Sequence, residues 1–159
     1  MKVTNIHTRI IDQPKEQIAP LLDTLSSRKD MVWPIGKWPA MRLKQGLQEG
    51  SSGGHGPIRY TVSRYLPGEI VQFEFSKPTG FNGFHRFELS SLEEGQTQLK
   101  HIIKMNTRGM GTLAWVLAIR WLHDALVEDA FDRVENYFSG KKKKTEWSFW
   151  VKTLRSLLK

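Results

Sequence analysis

The sequence predicts an α+β domain in which an antiparallel meander is closed by one long helix. Three observations carry this. Residues 2–12, "KVTNIHTRIID", are rich in β-branched side chains and read as a strand. From about residue 42 to residue 107 the apolar period is two, interrupted by turn signals. From Thr112 to Phe138 the period becomes 3.6 and holds without a break. A strand, helices, a run of strands and then one long helix place the helices on one side of an antiparallel sheet.

The elements follow in order. After the first strand, Asp12-Gln13-Pro14 offers a cap and a first-turn proline, opening a helix through "KEQIAPLLDTL" that Pro20 kinks or divides. "DMVWPIGKWPAM" (30–41) holds two Trp-Pro pairs and reads as a short turn and loop whose tryptophans seek cover. "MRLKQGL" reads as a strand, and "QEGSSGGHGP" as a glycine-rich loop forming a mobile rim. That loop lacks the Lys-Ser/Thr ending of a phosphate-binding loop. "IRYTVSRYL" and "EIVQFEF" flank the turn Pro67-Gly68; "FHRFELSSL" and "TQLKHIIKMNT" flank "EEGQ".

Composition narrows the function classes. The chain has 159 residues, enough for one domain with a substantial core. Without cysteine there is no disulfide framework and no thiolate ligand or nucleophile, which fits a reducing, cytoplasmic setting. The N-terminus has no apolar signal stretch, and the longest apolar run, residues 113–119, is far below the roughly 20 residues a spanning helix needs. The net charge of +8 is unevenly placed: residues 1–140 hold 17 Lys/Arg and 15 Asp/Glu (+2), residues 141–159 hold 7 and 1 (+6). A nearly neutral body argues against a nucleic-acid partner.

The order of elements, the segment "IRYTVSRYLPGEIVQFEF" with its Tyr-x-Pro-Gly turn, and the terminal helix resemble the START-like (SRPBCC) superfamily over residues 1–139. This includes its polyketide cyclase/dehydratase-like and lipid-transport branches. The resemblance implies a helix-grip fold, a curved sheet around the long helix, with a cavity for an apolar small molecule. It implies no cofactor and no shared catalytic residue. Residues 1–140 are then the ligand-binding domain, and residues 141–159 an extension outside the resemblance.

Turn positions fix a registry. If "EEGQ" closes one hairpin, Phe87 lies near His101 and His85 near Ile103; if "KPTGFNG" closes the one before, Phe73 lies near His85. One face then carries Val71, Phe73, Phe75, His85, Phe87, Leu89, Leu99, His101, Ile103 and Met105, and the other carries charges. Two histidines without a third ligand fall short of a metal site, so no metal is expected. They read either as satisfied polar groups in an apolar wall or as partners for the polar end of a ligand. On the long helix the stripe Val127, Ala130, Phe131, Val134 and Phe138 continues back through His123, Arg120 and Val116. Arg120 either grips a ligand carboxylate beside His123 or pairs with Asp124 or Glu128. Tyr60 adds a hydroxyl to the same wall, and Trp33 and Trp38 stand at the cavity mouth.

The extension places Trp147, Trp150, Val151 and Leu154 at helical spacing beside Lys152 and Arg155, with Lys141 to Lys144 upstream and Lys159 at the end. Such a helix suits an anionic membrane surface, giving peripheral attachment. It equally suits packing on the apolar start of the long helix, within one chain or in a homodimer. The leading functional expectation is binding of a hydrophobic or amphipathic small molecule or lipid. The alternatives are a cyclase/dehydratase-like enzyme using His85, His101 or His123 as general acid or base, and an interaction module with a filled interior.

Overall fold

A computed structural model describes residues 1–140 and 142–158. Seven antiparallel strands form one curved sheet: β1 (Lys2–Ile11), β2 (Arg42–Leu43), β3 (Ser52–His55), β4 (Ile58–Leu66), β5 (Ile70–Lys77), β6 (Phe81–Ser91) and β7 (Thr97–Thr107). Their spatial order is β1-β7-β6-β5-β4-β3-β2, so the first strand closes onto the last. Helix α1 (Lys15–Leu22) follows β1 and ends two residues beyond Pro20. α2 (Met110–Ala114), a π-helical turn (Trp115–Ile119) and α3 (Arg120–Phe138) form one continuous helical segment, and α4 (Phe149–Leu157) ends the chain.

The expected hairpin registry is the observed one: Phe73 opposite His85, His85 opposite Ile103 and Phe87 opposite His101. Two register shifts between β4 and β5, at Arg59/Tyr60 and at Val62/Arg64, insert one extra residue in each strand, Ser76 on β5 and Ser63 on β4, and bend the sheet there. Within the concavity Val71, Phe73, Phe87, Val127, Ala130 and Phe131 are fully buried and join sheet to α3.

Residues 52–55 form a strand, β3, where the glycine-rich composition predicts a loop. Its glycines serve close approach. A Cβ on Gly53 would stand 1.9 Å from the Arg42 carbonyl oxygen, and one on Gly54 2.0 Å from that of Ile58. The neighbouring chains can pair this tightly only where side chains are missing. Conversely, of "MRLKQGL" only Arg42–Leu43 pairs as strand.

The extension folds back on the domain. Asn136 clasps Lys143, its Oδ1 accepting from the Lys143 backbone N–H and its Nδ2 donating to the Lys143 carbonyl, each at 2.7 Å. Ser148 caps α4, and α4 buries Val151 and Leu154. Lys141 and Lys159, counted among the basic residues of the extension, lie outside the described residues. Among the described residues no helix is long and apolar enough to cross a membrane.

Candidate functional site: an interior cavity lined by histidines

Between the sheet and the π-turn and first half of α3 lies a cavity of about 270 Å³. The sheet contributes Ile58, Phe75, Phe81, His85, His101 and Ile103; the helix contributes Trp115, Ile119, Leu122, His123, Leu126 and Val127. Trp33, Trp38, Arg155 and Leu158 border it at the side where α4 packs. Almost everything in this wall is apolar except the imidazoles.

All five histidines of the chain meet in one row. Ring centroids run His7 to His123 at 5.9 Å, His123 to His101 at 4.9 Å and His101 to His85 at 5.5 Å. Tyr60 then bridges His85 (4.8 Å) to His55 (5.6 Å). At the outer end His7 Nδ1 donates to Glu128 Oε1 at 2.8 Å and Nε2 to Asp124 Oδ1 at 3.0 Å. Burial opposes its charge, but these two carboxylates outweigh burial and raise its pKa to about 9. Inside, burial dominates: His85 and His101 are held neutral, well below their ordinary value, and His55 falls to about 3. His85 Nδ1 lies 3.4 Å from His101 Nε2. Among the described residues His85 Nε2, His101 Nδ1 and His123 Nε2 have no hydrogen-bond partner, although all three side chains line the cavity.

Of the residues singled out in the sequence, His85, His101, Ile103, His123, Trp33 and Trp38 line the cavity. Tyr60, Phe73 and Phe87 do not: they are buried in the packed wall behind it, and the Tyr60 hydroxyl is engaged with His55 Nδ1 at 2.9 Å. Arg120 does not line the cavity and takes the second of its two expected roles, pairing with Asp124. Its side chain is 55% exposed, its Nε lies 3.8 Å from Asp124 Oδ2, and its guanidinium stands over the Trp121 ring, outside the cavity. The inward stripe runs Val127, His123, Ile119, Trp115 at intervals of four, and the π-turn over Trp115–Ile119, which advances each residue by less than 100°, leaves Val116 outside.

The extension residues meet the body at two buried carboxylates, Asp132, which accepts from the Thr145 backbone N–H, and Asp129. Asp129 Oδ2 accepts from Trp38 Nε1 (2.8 Å) and Trp147 Nε1 (2.9 Å), and Oδ1 pairs with Lys37 Nζ at 2.5 Å. Trp38 and Trp147 pack at 5.2 Å, and the Arg155 guanidinium covers Trp38 at 4.7 Å. Trp150 Nε1 donates to the Leu117 carbonyl at 3.0 Å, and Leu154 is buried. The extension therefore walls one side of the cavity.

Two groups escaped the sequence reading. His55 sits on β3 and lines the cavity. Asn5, His7 and Arg9 face α3 from β1, where Arg9 pairs with Glu128, Asp132 and Glu135. A signal existed for the second: polar residues at period two on the strand match Asp124, Glu128 and Asp132 at period four on the helix.

Neither a protein-family model nor a curated protein sequence matches the chain. Solved structures do. A protein from Nitrosospira multiformis superposes with a TM-score of 0.66 at 12% identity, over 87% of this chain and 97% of that one. CalU16 from Micromonospora echinospora gives 0.60 at 14% identity, over 98% of this chain and 83% of that one, a span that reaches into residues 141–159. A START superfamily protein from Mycobacterium smegmatis gives 0.51 at 13% identity, over 84% of this chain and 95% of that one. With its curved antiparallel sheet gripping a long C-terminal helix, the chain has the START-like, helix-grip fold.

Proposed function

We propose that the cavity binds a compact, mainly apolar small molecule bearing one polar group. The observation that carries this is the set of ring nitrogens without partners on His85, His101 and His123, set in an apolar wall. Buried polar groups without partners cost about 1–3 kcal/mol each, and a ligand hydroxyl, carbonyl or carboxyl would recover part of that. The size sets the class. Pockets for drug-sized ligands begin near 300 Å³, so about 270 Å³ suits one or two rings or a short chain, and a diacyl lipid would not be enclosed whole.

Binding is favoured over acid–base turnover because burial holds His85 and His101 far below neutral pKa, where an imidazole is a weak base. A filled interaction module is disfavoured by the open volume itself. The test is a fluorescence titration with 2-naphthol, two fused rings with one hydroxyl. One site per chain is expected, weakened about tenfold or more by His101→Leu and abolished by Leu122→Trp, which fills the cavity. Equal binding by all three proteins would refute the site.

Peripheral membrane contact is a second reading with its own support. The outward side of α4 exposes Phe149 (84%) and Leu157 (77%) beside Lys152. Each cation near an anionic surface contributes roughly 1 kcal/mol. Flotation of the full chain with phosphatidylserine vesicles should be lost in the double variant Phe149→Ser, Leu157→Ser. Flotation unchanged by that variant, or absent from the start, refutes it.

A further inference from the structure

We propose that Asn5, His7, His123 and Asp124 form a binding site for one divalent first-row transition-metal ion at the seam between β1 and α3. Four observations carry this site, which is independent of the cavity ligand.

The first is ligand geometry. Nitrogens of His7 and His123 and an Asp124 oxygen lie within 4.8 Å of one another. Asp124 Oδ1 is 3.0 Å from His7 Nε2 and 3.3 Å from His123 Nδ1. Zinc–ligand bonds of about 2.0–2.1 Å in a tetrahedron separate neighbouring ligand atoms by roughly 3.3 Å. The groups are already nearly at that spacing.

The second is crowding on one oxygen. Asp124 Oδ1 also accepts from Asn5 Nδ2 at 3.0 Å, so three groups converge on it, while Asn5 Oδ1 is buried with no partner among the described residues. Turning the Asn5 amide over would bring its oxygen toward that of Asp124. Two acceptors facing each other repel unless a cation stands between them. With a metal there, Asn5 Oδ1 becomes a fourth ligand.

The third is the outer support. Metal-bound histidines usually donate their other ring N–H to a carboxylate, which fixes tautomer and orientation. His7 Nδ1 does so to Glu128 at 2.8 Å, and Glu128 is held in turn by Arg9 at 2.8 Å. Nε2 is thereby aimed at Asp124.

The fourth is access and charge. His7 and His123 side chains are each 15% exposed and Asp124 29%, so an ion can enter from solvent. Asp124, Glu128, Asp132 and Glu135 face the seam against Arg9, Arg120 and Lys143. Imidazole with oxygen donors suits zinc and its neighbours rather than calcium or magnesium. Coordination through His123 Nδ1 would leave the proton on Nε2, one of the three ring nitrogens without a partner among the described residues of the cavity row. The loaded site would thus turn one end of the cavity into a hydrogen-bond donor.

The experiment is a Zn²⁺ titration of the full chain followed by histidine-ring NMR, where only five imidazoles contribute. One equivalent should shift His7 and His123 and leave His55 and His85 in place. In calorimetry His7→Gln should lower Zn²⁺ affinity at least about 100-fold and Glu128→Gln about tenfold, with far-ultraviolet circular dichroism confirming the fold. Should His7→Gln not fold, Asn5→Ala replaces it, with weaker binding expected. No shift at one equivalent, shifts confined to His55, His85 or His101, or affinity unchanged in these variants would overturn the proposal.

Discussion

Acidification should destabilise this protein steeply in a pH range where most domains are indifferent. His55, His85 and His101 are buried and neutral, with folded-state pKa values depressed by desolvation, His55 to about 3 and the other two well below 6.5. The unfolded chain takes up these protons near pH 6.5 and the folded chain does not, so stability falls as pH falls below 6.5. Each such group contributes about 1.4 kcal/mol per pH unit. His55 alone, with its folded value of about 3, gives about 1 kcal/mol between pH 6 and pH 5, and His85 and His101 act in the same direction. His7 does not offset this. Its raised value, about 9, gives stability that is complete below pH 6.5 and lost only as pH rises through 9. With an m-value of about 2 kcal/mol/M, the urea midpoint should drop by at least about 0.5 M over that one unit. His55→Gln should make the slope measurably shallower. A midpoint that stays level from pH 6 to pH 5, or a slope untouched by His55→Gln, would refute the neutral, buried row of imidazoles.

Other outcomes follow from particular contacts. Asp129→Asn removes the charge that holds Trp38 and Trp147 while the half-exposed Lys37 can turn to water, so it should cost about 1–3 kcal/mol and speed proteolysis between residues 142 and 148. Limited digestion followed by mass spectrometry reads both the rate and the cut site. Gly54→Ala forces a Cβ to within 2.0 Å of the Ile58 carbonyl and should destabilise by about 1–3 kcal/mol in thermal unfolding. Arg120→Met removes only an exposed 3.8 Å ion pair and should change stability by less than about 1 kcal/mol and leave 2-naphthol affinity unchanged.

The strands of the meander were legible because turns and alternation agree. Phe73, His85, Phe87 and His101 follow from two turn positions and a period of two. Val116 leaves the stripe because the turn over residues 115–119 winds more widely than 3.6 residues, which no residue there announces, whereas Arg120 leaves it because Asp124 and the Trp121 ring offer its guanidinium partners near solvent. β3 was hidden because glycine usually breaks strands, whereas Gly53 and Gly54 here allow backbones to approach. The polar seam was hidden for a third reason: β1 points Ile6 and Ile10 to solvent and Asn5, His7 and Arg9 inward, the reverse of the usual alternation. Only the carboxylates of α3, distant in sequence, make that inversion favourable.

The most direct test of the cavity's role is native mass spectrometry of the full chain as isolated from cells, beside Leu122→Trp. Our account predicts that the parent protein retains one small organic molecule per chain, and that the variant, equally folded, carries none. A bare parent mass that also fails to take up 2-naphthol, or an adduct that persists unchanged in Leu122→Trp, would contradict it.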